Sequence, residues 1–204
     1  RDPRELAGGP RVVSIGYLAL GREEAPSGAG HGDWFDLYDF LPWEDWRCDQ
    51  PAIIDDILIP SLEEWADAEP YPAIREERRH RLAMTFGHDD APWNFEHVLE
   101  RYELLYEAGL VSEAERDRLA RAKYINTPGP NAGARTAIEA TGRSAALDHR
   151  RMMATALGRI RGKLKYRPVV FELLPPSFTL LRLQQVVESL SGITLHKQNF
   201  RRLV

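Results

Sequence analysis

Gln198, Arg201 and Arg202 carry side chains that can read the edges of nucleic-acid bases. A guanidinium grips guanine bidentately, a carboxamide pairs with adenine, and either holds a phosphate. Their spacing puts them on one side of a helix. At about 100° per residue, with Phe200 as the core-facing reference, Leu203 lies about 60° away and these three fall between about 100° and 200°. Lys197 and Asn199 flank that face and suit phosphate or edge contacts, whereas His196 is expected nearer the core side and Thr194 as an N-cap. Upstream, Lys163, Lys165 and Arg167 suit phosphate contacts that raise affinity without reading sequence and make binding salt-dependent.

Such a face needs a scaffold. Thr179 is an N-cap candidate for a helix whose apolar stripe is Leu180, Leu183, Val187 and Leu190. Ser191-Gly192-Ile193-Thr194 supplies a short turn, and Leu195 to Val204 starts a second helix. Two helices joined by a short glycine-bearing turn form the helix-turn-helix arrangement, whose second helix enters the major groove of duplex DNA. Before the pair, Ser144 to Leu164 reads as one long helix that buries Met153, Leu157, Ile160 and Leu164. Arg150, Arg151, Arg159, Arg161 and Lys163 are expected elsewhere on its surface. Pro168 to Leu174 is too short for periodicity to decide between strand and helix.

Charge supports the same partner. Residues 143–204 hold 12 Lys+Arg against 3 Asp+Glu, whereas residues 1–142 hold 15 against 28, so the net charge of −4 conceals a cationic segment joined to an anionic one. One part of the chain is suited to a polyanion and the other is not. The longest apolar runs, Val12 to Leu20 and Pro168 to Leu174, fall far short of the roughly 20 residues that cross a bilayer, and no leader opens the chain. A cytoplasmic protein without membrane contact is expected. Cys48, the lone cysteine, excludes an internal disulfide and reads as an inert, buried thiol.

No catalytic constellation or metal site emerges. The acid pairs Asp55-Asp56, Glu63-Glu64 and Glu76-Glu77 read as helix surface charge. The histidines are scattered, and Asp148-His149 would project about 100° apart on a helix. No glycine-rich phosphate loop follows a strand.

Towards the amino terminus, Arg11 to Leu20 is rich in β-branched and aromatic residues and reads as a buried strand, Gly28 to Gly32 as a loop, and Trp34 to Leu41 as a second strand ending at Pro42. Pro51 to Ala66 has helical spacing, with a kink expected near Pro60. Phe95, Val98, Leu99, Tyr102, Leu105 and Tyr106 form a helical stripe best read as core, and Ser112-Glu-Ala-Glu115 has capping-box spacing. Asn126 to Gly133 is the clearest linker, and the five tryptophans are best read as packing groups. The expected fold class is α+β: a strand-strand-helix unit over 1–70, a helical stretch and linker over 71–142, and a DNA-binding module over 143–204.

The wording of the carboxy-terminal part is also specific. Leu157-Gly-Arg-Ile-Arg-Gly-Lys-Leu-Lys-Tyr-Arg-Pro-Val-Val-Phe-Glu-Leu-Leu-Pro175, with Phe178-Thr-Leu and Leu195-His-Lys-Gln-Asn-Phe-Arg-Arg202, resembles the winged-helix domain of the Nudix-related regulators of NAD metabolism, the NrtR family. Arg1-Asp-Pro-Arg4 and Arg11 to Leu20 resemble, more briefly, the strand that follows the Nudix helix in that family. The resemblance implies a partial Nudix-like unit at the amino terminus and a winged helix at the carboxy terminus. It implies an ADP-ribose-type or NAD-related effector, operator DNA bound by a homodimer, and recognition-helix roles for Lys197, Gln198, Asn199, Arg201 and Arg202. It sets the Nudix box ahead of Arg1 and the wing strands after Val204, so no effector- or metal-binding residue is carried over. Two other readings stand beside it. One is a fragment of a Nudix-type nucleoside-diphosphate hydrolase; the other is a helical interaction module whose basic face docks an acidic protein or its own acidic half.

Overall fold

Proline opens two of the helices, because the N–H it lacks has no intrahelical acceptor in the first turn anyway. Pro60 lies at the start of α1 (Ile59–Asp67), and Pro72 begins α2 (Pro72–Phe86). The computed structural model describes residues 15–21, 34–122, 132–166 and 169–203. A π-helical turn, Ile54–Leu58, leads into α1, so the helix expected across Pro60 does change geometry just before it. Gly87, at φ 62°, ends α2. There follow α3 (Val98–Glu107), α4 (Ser112–Ala122), α5 (Ala132–Ala140) and the long α6 (His149–Tyr166). A 3-10 segment, Val169–Leu173, precedes the last two helices, α7 (Leu180–Ser191) and α8 (Lys197–Leu203).

The apolar residues gather into two clusters. The larger holds Leu41, Trp43, Leu58, Leu62, Leu82, Phe86, Val98, Tyr102, Leu105 and Leu157, among others; the smaller holds Val170, Leu174, Leu183 and Phe200. Helix α6 serves both. Its Ala154 and Leu157 enter the larger cluster, while Leu164, near its other end, packs on the smaller one. Within the stripe expected around α3, Val98, Tyr102 and Leu105 are buried and Leu99 and Tyr106 pack against them. The tryptophans divide. Trp43 is fully buried, Trp46 and Trp93 meet at a tilt of 46° with centroids 4.8 Å apart, and Trp34 is exposed.

The α+β expectation is overturned: no strand forms among the described residues, only the isolated bridges Trp46↔Ile193 and Arg47↔Asp49. The Nudix-like strand-strand-helix unit is therefore not present among the described residues. Trp34 to Leu41 alternates like a strand but folds as a 3-10 turn, Leu37–Asp39, because the Asp36 carboxylate accepts the Tyr38 N–H at 2.9 Å. An aspartate that satisfies the backbone two residues ahead offers a closed turn in place of a ladder. Among the described residues the alternation also has no neighbouring strand to pair with, and unpaired ladder groups cannot be buried. Of the strand expected over Arg11 to Leu20, residues 11–14 lie outside the described residues; residues 15–21 have no regular structure, and Ile15 and Tyr17 stand in solvent. Cys48 is exposed rather than buried. Most of the linker expected at Asn126 to Gly133 lies outside the described residues, although Gly133 is already within α5.

Candidate nucleic-acid interface

Thr179 caps α7 as expected: its φ of −86° and ψ of 153° are extended, and its hydroxyl accepts the Arg182 N–H at 3.1 Å. Leu183 is the buried residue of the stripe, with Leu180 and Val187 packed beside it. The helix ends at Gly192, which adopts φ 69° and donates its N–H to the Glu188 carbonyl at 2.8 Å, a left-handed cap that suits glycine. Five residues, Gly192 to His196, then separate α7 from α8. The connection is held from inside. Glu188 accepts the Leu195 N–H at 2.9 Å, while the Gln184 carboxamide donates to the Leu195 carbonyl at 2.8 Å and to Glu188 at 2.9 Å.

Helix α8 presents the predicted face. Phe200 is buried in the smaller cluster, whereas Lys197, Gln198, Asn199, Arg201 and Arg202 are all exposed. None of these five side chains pairs with a carboxylate among the described residues, so their donors remain open to an outside acceptor. His196 is exposed too, contrary to the helical-angle reading, because the helix starts after it and the 100° step does not extend into the connection. Thr194 is likewise not the N-cap of α8; its hydroxyl donates to the Arg47 carbonyl.

The upstream basic residues have different fates. Lys163 is exposed near the end of α6, Lys165 sits 2.5 Å from the Glu96 carboxylate, and Arg167 lies outside the described residues. Arg159 is exposed as expected. Arg150 and Arg161, expected on the helix surface, are buried. Arg150 donates to Glu113 at 3.1 Å and to the Phe40 carbonyl at 2.7 Å; burial pushes its guanidinium below the ordinary value and Glu113 opposes the shift. Arg151 donates to Glu103 at 2.5 Å and to Asp148 at 2.5 Å. Four of the twelve Lys and Arg side chains of residues 143–204, those of Arg150, Arg151, Arg161 and Lys165, are thus paired with carboxylates of the acidic region.

Arg161 belongs to a hub that sequence reasoning missed. Glu44 is fully buried between Arg101 and Arg161. Arg101 Nε and Nη2 donate to its carboxylate at 2.6 and 3.0 Å, and Arg161 Nη1 donates to Oε2. Two guanidinium groups face one carboxylate, so backbone carbonyls take up the remaining donors. Arg101 reaches the carbonyls of Thr85 and Asn94, each at 2.9 Å, and Arg161 reaches Glu44 at 2.7 Å, Phe95 at 3.0 Å and Ser191 at 2.7 Å. A spacing signal for both arginines was present. Arg150, Ala154, Leu157 and Arg161 recur at i, i+4, i+7 and i+11, and Arg101 falls between Val98 and Tyr102 on the buried face of α3.

Comparison with known proteins bears on this segment. Residues 170–204 match the NrtR DNA-binding winged helix domain. A curated relative from Acinetobacter baylyi, described as an ADPR-responsive transcriptional repressor, is 39% identical over 57 residues. That alignment spans 28% of this chain and 23% of the relative. The matches bear out the resemblance to the NrtR family, the first of them over residues 170–204.

Proposed function

We propose that this chain, whose carboxy-terminal end carries the winged helix of the NrtR family of DNA-binding transcriptional regulators, recognises operator DNA through α8 and answers to an ADP-ribose-type ligand. One observation carries the DNA-binding reading: five open polar and cationic side chains on α8, with Gln198 and Arg202 opposite the buried Phe200 and the others beside them. In this reading Gln198, Arg201 and Arg202 read base edges, Lys197 and Asn199 hold the flanking edge or phosphates, and Lys163 adds sequence-independent attraction. Lys165 and Arg167 belong to the same phosphate-contacting group, with Lys165 shared between DNA and Glu96. Arg182, exposed in the first turn of α7, joins them, because the first helix of such a pair crosses the phosphate backbone.

The ligand class is supported by the description of the Acinetobacter baylyi relative, and NAD-metabolism genes are the targets the family resemblance implies. A homodimer is the expected assembly, contacting through the acidic region because two cationic modules repel. Sedimentation as a monomer counts against it. The decisive experiment is a mobility shift on the promoters of neighbouring genes, repeated with ADP-ribose and with NAD. Preference for one promoter over random duplex, lost steeply with added salt and altered by ADP-ribose, supports the reading; equal binding to all duplexes, or none, removes it.

A further inference from the structure

The turn ahead of α8 is fastened to the acidic region from several sides. The Tyr38 hydroxyl donates to the Ser189 and Leu190 carbonyls at 3.2 and 3.4 Å, in the last turn of α7. The Trp46 N–H donates to the Gly192 carbonyl at 2.7 Å, Arg161 ties the Ser191 carbonyl to Glu44, and the Thr194 hydroxyl reaches the Arg47 carbonyl. The fit leaves no slack. A Cβ on Gly192 would stand 2.6 Å from the Tyr38 hydroxyl and 2.7 Å from the Glu44 carbonyl oxygen. Burial pushes the Tyr38 phenol up to about 12, so it remains a protonated donor throughout the neutral range.

We propose that Asp36–Arg47 is the mount that sets the pose of α8, and that Tyr38 and Glu44 are positioning residues for DNA recognition although neither lies on the exposed face of α8. The inference rests on reading α8 as the recognition helix. Base readout depends on donors held within about half an ångström of the productive geometry by supporting groups. Phosphate contacts tolerate more. Loosening the mount therefore erodes discrimination between sequences and leaves the electrostatic attraction intact. A ligand that shifts Asp36–Arg47 would act on α8 through the same contacts.

The test uses duplexes that the wild-type chain itself selects from a randomised pool, with a scrambled duplex as the non-specific probe. The variant is Tyr38→Phe, which deletes one hydroxyl and keeps the ring; Glu44→Gln is the stronger second case, read only on its cooperatively melting fraction. Tyr38→Phe is expected to melt cooperatively and to lose affinity for the selected duplex by about twofold to thirtyfold, the range typical of remote coupling positions. Binding to the scrambled duplex and its salt slope should not move, and amide exchange should quicken in residues 191–196. Unchanged affinity for the selected duplex, or an equal loss on both duplexes, overturns the positioning role while leaving the DNA reading intact. Failure of the wild type to select any duplex removes both.

Discussion

Arginines occupy two opposite environments within one carboxy-terminal stretch. On α6, Arg150 and Arg161 are buried and held by Glu113 and Glu44, whereas on α8, Arg201 and Arg202 are exposed and pair with no carboxylate among the described residues. Residue type does not separate the two sets; position does. Arg150 and Arg161 fall on the stripe with Ala154 and Leu157, where the acidic region supplies partners, and Arg201 and Arg202 fall away from Phe200. The first pair joins the two parts of the molecule, and the second is left over for a partner.

The comparison breaks most visibly at Glu44. Glu44→Ala strands two buried guanidinium groups, and removing one member of a buried ion pair costs about 3–5 kcal/mol, because the remaining charge has lost both water and its counter-ion. Urea melts should show that loss as a lower midpoint. An unchanged midpoint would mean that backbone carbonyls alone hold Arg101 and Arg161. Arg201→Ala or Arg202→Ala is expected to do the reverse, changing stability by no more than about 0.5 kcal/mol while weakening selected-duplex binding by about 1–3 kcal/mol and blurring base preference. Equal loss across all sequences would reassign these side chains to phosphate.

Lys163→Ala sharpens the distinction on the DNA side. It should weaken binding to every sequence alike and reduce the salt slope by about one. A sequence-dependent loss would move Lys163 from the phosphate set to the reading set.

What the sequence conveyed follows the range of the interactions. The α7 cap at Thr179, its end near Gly192 and the outward face of α8 are local consequences of residue order, and all were legible. The core stripe of α3 was legible for the same reason. The strands expected near the amino terminus do not form among the described residues. Their alternation at Trp34 to Leu41 is real, but strand formation depends on a partner elsewhere in the chain, and Asp36 closes a local turn first. The Glu44 hub lay between these cases. Its arginines sit at core spacing, yet a guanidinium on an apolar face declares its burial only once a distant carboxylate, 57 residues away for Arg101 and 117 for Arg161, is known to meet it.

Arg47 lies between the two extremes. It bridges Asp45 at 2.7 Å and Asp36 at 3.2 Å, with about a third of its side chain exposed, and its carbonyl accepts the Thr194 hydroxyl. The Arg47 hydrogen bonds hold the Asp45 carboxyl below its ordinary value of 3.8. A depressed carboxylate stabilises the folded state above its unfolded value, and that contribution disappears as pH falls through the folded one. Solvent screens so exposed a pair, so Asp45→Asn should cost at most about 1 kcal/mol near neutral pH. The difference from wild type should begin to shrink as pH falls past 3.8 and close only below the depressed folded-state value, where the wild-type carboxyl is also neutral. Melts at neutral and acid pH check both points: a gap that persists in acid would show that Asp45 acts through packing rather than charge. A gap as large as that of Glu44→Ala would place Arg47 with the buried arginines after all.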